Sequence, residues 1–268
     1  MSHKILSLKW RPRIFSEVVG QDHIMLTLVN AFKSDLVAQA YMFTGPRGVG
    51  KTTTARIVAK ALNCQNNLGT GCRDCTNCNE ISEARNLDVL EIDGASNRGI
   101  DEIRNIRELI KFPPMNSLNK IIIIDEVHML TTQAFNALLR TLEEPPPHGK
   151  FILATTDIQK VPMTIISRCQ RFDFHRLSSK VILEKMIEIL QLESIQADQE
   201  SLQAIAVKAT GSMRDALSTL EQVIAYSENE ISYKDTEKVL GLIPVDILSL
   251  IHISEPTRPE RSADGLVC

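Results

Sequence analysis

Several things are scarce in this chain, and each scarcity narrows the field. There is no surplus of positive charge: 30 Lys and Arg against 33 Asp and Glu leave a net charge of −3 over 268 residues. A chain so balanced does not coat nucleic acid with its whole surface. A DNA partner would be met by a local patch or through other subunits. No secretory leader is expected, because Lys9, Trp10, Arg11 and Arg13 interrupt the N-terminus. No apolar run is longer than Ile121–Ile124, far short of the roughly 20 residues that a membrane-spanning helix needs. The expectation is a cytoplasmic protein with no membrane partner. Cysteines are few and unevenly placed: four of the six crowd between 64 and 78. In a reducing compartment, clustered thiols read as metal ligands rather than disulfides. What remains is ordinary: 43% hydrophobic and 24% charged residues, enough for one large domain plus a small one.

Against that background the informative stretch begins at Gly45. Gly45-Pro46-Arg47-Gly48-Val49-Gly50-Lys51-Thr52 fits G-x-x-x-x-G-K-T, with Thr53 next to it. Tyr41–Thr44 before it reads as a buried strand, and Ala55, Val58, Ala59 and Leu62 after it recur at helical spacing. Strand, glycine-rich loop and helix is the setting in which this motif binds phosphate. The glycines let backbone N–H groups curl around phosphate oxygens, and the helix N-terminus adds its dipole. Lys51 is expected to reach the β- and γ-phosphates, and Thr52 to ligate Mg²⁺.

Ile121–Ile124 followed by Asp125-Glu126 reads as a central parallel strand, buried on both faces, that delivers two carboxylates at its C-terminal end. Asp125 suits a water-mediated Mg²⁺ contact. Glu126 suits orienting and polarising an attacking water.

Cys64, Cys72, Cys75 and Cys78 have the spacing C-x7-C-x2-C-x2-C. Four sulfurs and no histidine match a closed, tetrahedral, structural zinc site, with an iron–sulfur cluster as the rival reading. Asn66, Asn67, Gly69 and Gly71 make the intervening loop turn-rich. Cys169 lies far off and reads as a buried thiol.

Further along, Asp88–Asp93 alternates as a strand does, and Ile100, Ile103, Ile106 and Ile110 mark a helix that Pro113 and Pro114 end. Phe135, Leu138, Leu139 and Leu142 share a helical face that stops before Pro145-Pro146-Pro147. Phe151–Ala154 reads as another buried strand, leading to Thr155-Thr156-Asp157. A hydroxyl there suits either a contact to γ-phosphate or water, or a plain turn or cap. Arg168, in Ser167-Arg168-Cys169, would on its own be read as a surface arginine paired with an acid.

Taken together, Gly45–Thr52, the cysteine cluster, Asp125–His128, Glu143–Pro147 and Ser167–Cys169 resemble the bacterial clamp-loader motor subunits. These are the gamma/tau subunits of DNA polymerase III, which are AAA+ ATPases. The resemblance spans roughly residues 4–245. It implies an α/β P-loop NTPase fold with a parallel sheet of order 5-1-4-3-2 over residues 1–176, and an inserted zinc knuckle at 64–78. A small three-helix lid over residues 177–243 would follow. It implies that Lys9-Trp10-Arg11-Pro12 and Val18-Val19-Gly20-Gln21 pack around adenine. Thr155 is similar to the sensor-1 position. Arg168 is similar to an arginine finger acting in trans, and Arg214 of Gly211–Asp215 to the sensor-2 arginine. ATP, Mg²⁺ and Zn²⁺ follow as cofactors. The implied partners are further gamma/tau copies, the delta and delta prime subunits, the sliding clamp and primer–template DNA. For a long form, the polymerase core and the replicative helicase join them. The implied activity is ATP hydrolysis that loads the clamp during replication. A polymerase-like carboxylate constellation is not found, so any polymerase label would come through the holoenzyme. The non-motor clamp-loader relative lacks a working phosphate loop, which Lys51 and Thr52 argue against. A Holliday-junction motor lacks the cysteines.

After about Ile247 the likeness ends. Leu248–Arg258 reads as a translated transposon-end sequencing adapter, with 259–268 as out-of-context translation in place of a helical collar domain. Long-read sequencing of the locus tests that expectation.

Overall fold

The computed structural model describes residues 5–227 and 230–241. The segment 248–268, read above as adapter-derived, lies outside them, as does the end of the expected lid.

A one-turn helix α1 (Leu6–Lys9) and α2 (Asp22–Lys33) lead into an alternating run. That run is β1 (Ala40–Thr44), α3 (Lys51–Asn63), α4 (Thr76–Ser82), β2 (Val89–Asp93), α5 (Ile100–Lys111), β3 (Lys120–Asp125), α6 (Thr132–Glu143), β4 (Gly149–Thr155), α7 (Met163–Ile166) and β5 (Gln170–Asp173). The five strands pair in parallel in the order β2-β3-β4-β1-β5, which is the expected 5-1-4-3-2 order.

The isoleucine run of β3 explains its central place. Ile121 and Ile123 pack with Leu28 of α2 and Ile57 and Val58 of α3. Ile122 and Ile124 face the opposite way, onto Ile103 and Ile106 of α5 and Phe135 and Leu138 of α6. A strand apolar at every position is buried on both faces, and each such side chain contributes roughly 1.5–3 kcal/mol. The prolines act as breakers: α5 stops at Lys111 before Pro113, and α6 at Glu143 before Pro145.

β2 begins at Val89, one residue later than the alternation predicts. Asp88 is buried, and its carboxylate accepts the N–H groups of Met115 and Asn116, both at 2.8 Å. Burial would raise its pKa, but those N–H groups outweigh burial and hold it below the usual carboxylate value. Asp88 therefore organises the loop before β3 and does not extend β2.

Beyond β5 stand the three expected helices, α8 (Ser179–Glu193), α9 (Gln199–Lys208) and α10 (Met213–Tyr226). A two-stranded ladder, β6 (Gln196–Ala197) with β7 (Glu230–Ile231), and a further helix α11 (Tyr233–Leu240) accompany them. Ile182, Met186, Ile205, Leu217 and Leu220 form a separate core, which also takes in Leu6 and Trp10 from the N-terminus. Among the described residues no helix is long and apolar enough to cross a membrane.

Candidate active site

The loop between β1 and α3 is shaped by its glycines. Gly45, Gly48 and Gly50 have φ of +141°, +76° and +104°, a region that favours glycine. A Cβ at Gly48 would overlap Ser212 Oγ and sit 3.0 Å from Ser212 Cβ. The C=O of Gly48 accepts the N–H of Met213 at 3.1 Å. The start of α10 thus rests directly on the phosphate loop. Lys51 is buried, and its ammonium donates to the carbonyls of Gly45 (2.8 Å) and Pro46 (2.7 Å).

Thr52 and Asp125 meet across the sheet edge. The Thr52 hydroxyl donates to Asp125 Oδ2 at 2.5 Å. This pairs a helix N-terminus with the last residue of the interior strand β3. Two hard oxygen donors side by side suit Mg²⁺. Glu126 follows in the left-handed region, φ +47°, an uncommon conformation for a non-glycine residue. Its Oε2 accepts from the hydroxyl (2.9 Å) and the N–H (3.3 Å) of Thr156.

Of the two roles open to the Thr155 hydroxyl, the turn role is the one its contacts match. It is fully buried, and its hydroxyl lies 3.0 Å from His128 Nδ1 while bonding within its own turn to Asp157. Thr156, not Thr155, touches Glu126. The parity of β4 explains this: Thr155 shares the side of Phe151 and Leu153, which face α5 and α6. That alternation was the readable signal, and it was missed.

These groups border an open cleft whose walls include Trp10, Arg11, Pro12, Val18, Val19, Arg47, Gly48, Val49, Gly50, Thr53, Leu177 and Arg214. The N-terminal segment thus supplies five of these walls, Trp10, Arg11, Pro12, Val18 and Val19. Trp10 also donates its Nε1–H to Glu193 Oε1 of α8 at 2.6 Å, and Arg11 donates to Thr53 Oγ1 at 3.1 Å. The buried amide of Gln21 clamps the chain entering the lid, donating to His175 O at 2.7 Å. Positive charge dominates here. Burial, then Arg56, pulls Arg11 down to about 10, with Arg214 acting the same way. Burial also lowers Lys51, Arg214 adds to this, and Glu126 and Asp125 oppose it. Cations crowded into a half-buried cleft are the complement of a polyphosphate.

Arg168 is not part of this cleft. It lies beyond α7, where its guanidinium donates to Thr164 O at 2.7 Å and pairs with Glu143 at 2.9 Å.

The four cysteines converge. Their sulfurs all lie within 4.8 Å of one another. Tetrahedral zinc with Zn–S bonds near 2.3 Å would space them about 3.8 Å apart, which lies inside that limit. The N–H groups of Asn67, Cys75 and Cys78 point at the sulfurs of Cys64 (3.2 Å), Cys72 (3.4 Å) and Cys75 (3.4 Å). Such N–H···S contacts favour thiolate; the N–H of Cys75 is the main reason Cys72 falls to about 7. The knuckle is bolted to the sheet by asparagines. Asn63, the last residue of α3, exchanges hydrogen bonds with the backbone of Asn119 just before β3, both at 2.9 Å. Asn77 of α4 donates to Asn63 O at 3.1 Å.

A family profile described as DNA polymerase III, delta subunit, matches residues 20–178. One described as DNA polymerase III clamp loader subunit, ATPase lid domain, matches residues 181–229. The chain is 50% identical over 244 residues to DNA polymerase III subunit tau of Bacillus subtilis, covering 91% of this chain and 43% of that protein. It is 46% identical over 245 residues to DNA polymerase III subunit gamma of Buchnera aphidicola, covering 91% and 68% respectively. The chain thus spans less than half the length of its tau relative. Among solved structures, the Thermotoga maritima RuvB Holliday junction branch migration motor superposes with a TM-score of 0.64 at 18% identity, covering 92% of this chain and 80% of that one. That likeness concerns the fold. The lid match, the intact phosphate loop and the identity to gamma and tau subunits agree, and the chain belongs to the DNA polymerase III gamma/tau family.

Proposed function

We propose that this chain is the ATP-hydrolysing motor subunit of a bacterial clamp loader, using ATP to place a sliding clamp on primed DNA. The carrying observation is the Thr52–Asp125 contact at 2.5 Å under the glycine loop, with Glu126 next to it and Arg214 across the cleft. In this reading the backbone N–H groups of the loop and Lys51 hold the β- and γ-phosphates. Thr52, and Asp125 through water, hold Mg²⁺, which neutralises charge on the phosphate oxygens when bound. Glu126 orients the attacking water. Trp10, Arg11, Pro12, Val18 and Val19 enclose the base. Arg214, carried on the lid, reads the γ-phosphate, so nucleotide state biases how the lid sits on the loop. The sensor role passes from Thr155 to Thr156, supported by its contact with Glu126.

Arg168 acts on a neighbouring copy's nucleotide. Its exposed position and its single acidic partner, Glu143, support that role, because a surface ion pair is cheap to exchange. The nucleotide-binding unit runs over residues 1–176 and the lid over 177–243. The cysteines hold zinc structurally, since four sulfurs leave no position for water. The partners are other clamp-loader subunits, the clamp and primer–template DNA.

The test is ATP turnover by the full chain mixed with partner subunits, clamp and primed DNA. DNA should accelerate hydrolysis and Lys51→Ala should abolish it. Turnover that ignores DNA and survives Lys51→Ala would refute the proposal.

A further inference from the structure

The loop after β3 brings a histidine against the hydrolytic carboxylate. His128 Nδ1 lies 3.0 Å from Thr155 Oγ1 and 3.4 Å from Glu126 Oε2, with only 10% of its side chain exposed. The protons of this cluster can be assigned. The Thr155 hydroxyl donates its one proton to Asp157 O at 3.1 Å and accepts the Asp157 N–H at 3.0 Å. Nδ1 therefore has to supply a proton of its own toward Thr155. The same N–H faces the Glu126 carboxylate, where a bare nitrogen lone pair would be repelled. Every contact therefore requires a proton on Nδ1.

Glu126 Oε2 accepts the hydroxyl and N–H of Thr156, and His128 Nδ1 stands 3.4 Å from it, at ion-pair range. No described donor reaches Oε1. Thr156 is exposed just past the end of β4, whereas His128 is anchored to the buried Thr155.

We propose that His128 is a positioning residue for hydrolysis: it grips Glu126 by Oε2 so that Oε1 is presented to the attacking water. This rests on the reading of Glu126 given above. His128 touches neither nucleotide nor water and acts through the carboxylate.

The experiment measures ATP turnover in the clamp loader assembled from the full chain, partner subunits, clamp and primed DNA, with His128→Ala, His128→Asn, His128→Gln and Glu126→Gln compared. An asparagine amide places an N–H near the Nδ1 position; a glutamine amide reaches the Nε2 position instead. His128→Ala and His128→Gln should lower kcat about tenfold, the scale of one hydrogen bond to a charged group. KM for ATP and equilibrium nucleotide affinity should stay within about twofold, and His128→Asn should recover most of the rate. If His128→Ala fails to fold, the Asn and Gln pair still decides. Wild-type kcat in His128→Ala overturns the proposal. So does recovery by Gln but not Asn, or a loss confined to affinity. Glu126→Gln tests the underlying reading separately: near-normal turnover there removes the hydrolytic role of Glu126 itself. An inactive Glu126→Gln beside a fully active His128→Ala removes this proposal alone.

Discussion

Replacing Gly48 with alanine should uncouple the lid from the phosphate loop. Two terms add. The backbone at +76° is disfavoured for a residue with a Cβ, which costs about 1–2 kcal/mol. The new methyl would overlap Ser212 Oγ and press to 3.3 Å on Arg214 Cβ. Ser212 caps α10, its Oγ accepting the Asp215 N–H at 3.2 Å, so its displacement forfeits a cap worth about 1 kcal/mol. The Met213 N–H to Gly48 C=O bond goes with it, about another 1 kcal/mol. The sum is about 3–4 kcal/mol, or a loss of nucleotide affinity of about 10²–10³-fold if the lid must sit on the loop to close the cleft. Trp10, the chain's one tryptophan, lines that cleft, so its fluorescence titrated with ATP reads the affinity. A second substitution separates the terms. Ser212→Gly removes the overlapping atoms at a cost of a few tenths of a kcal/mol as a cap. Combined with Gly48→Ala, it should recover the steric part and leave the backbone part. Wild-type affinity in Gly48→Ala, or strict additivity in the double variant, would refute the reasoning.

Other outcomes are expected. Asp125→Asn should lower turnover at least about 10²-fold while ATP still binds, because it strips the metal pair and leaves the loop intact; equal losses in binding and turnover would contradict this. Arg168→Ala should leave nucleotide binding by the isolated chain unchanged and reduce turnover of the assembled complex by about 10³–10⁵, read by steady-state hydrolysis in both settings. Native mass spectrometry should find one zinc per chain, and Cys75→Ser should lose it and lower the melting temperature. Burial pushes the Cys169 thiol from 9.0 up to about 12. The folded state therefore keeps it neutral while the unfolded state ionises, and stability should fall as pH rises from about 9 toward 12. Cys169→Ala should flatten that fall in denaturant titrations at stepped pH.

The parts legible in the residues were those where backbone demands restrict residue type. The phosphate loop needs its glycines, β3 needs apolar residues on both faces, and the knuckle needs thiols at short spacing. Side-chain partnerships leave no such periodic trace. Nothing in Asp88 announces that it ties down the loop before β3, and nothing in Asn63 announces its exchange with Asn119. The choice between Thr155 and Thr156 turned on a single step of strand parity, and a single step reverses which face a side chain serves. Arg168 is legible as an arginine on the surface. Its work, in the proposed reading, lies on another molecule; inside this one it leaves only the bond to Thr164 O and the pairing with Glu143.

The asparagine pair acts at a distance. Along α3 the distance from Thr52 to Asn63 is about 16 Å at helical rise, and from Asn119, just before β3, to Asp125 at its end is about 20 Å. They are two stiff legs. At one end Thr52 touches Asp125, and at the other Asn63 grips Asn119. The arrangement is a caliper whose jaw is set from the hinge. Slackening the hinge, by Asn63→Ala or by stripping the knuckle, should open the jaw by fractions of an ångström, and the symptom would be weaker magnesium affinity some 15 Å from the nearest altered atom.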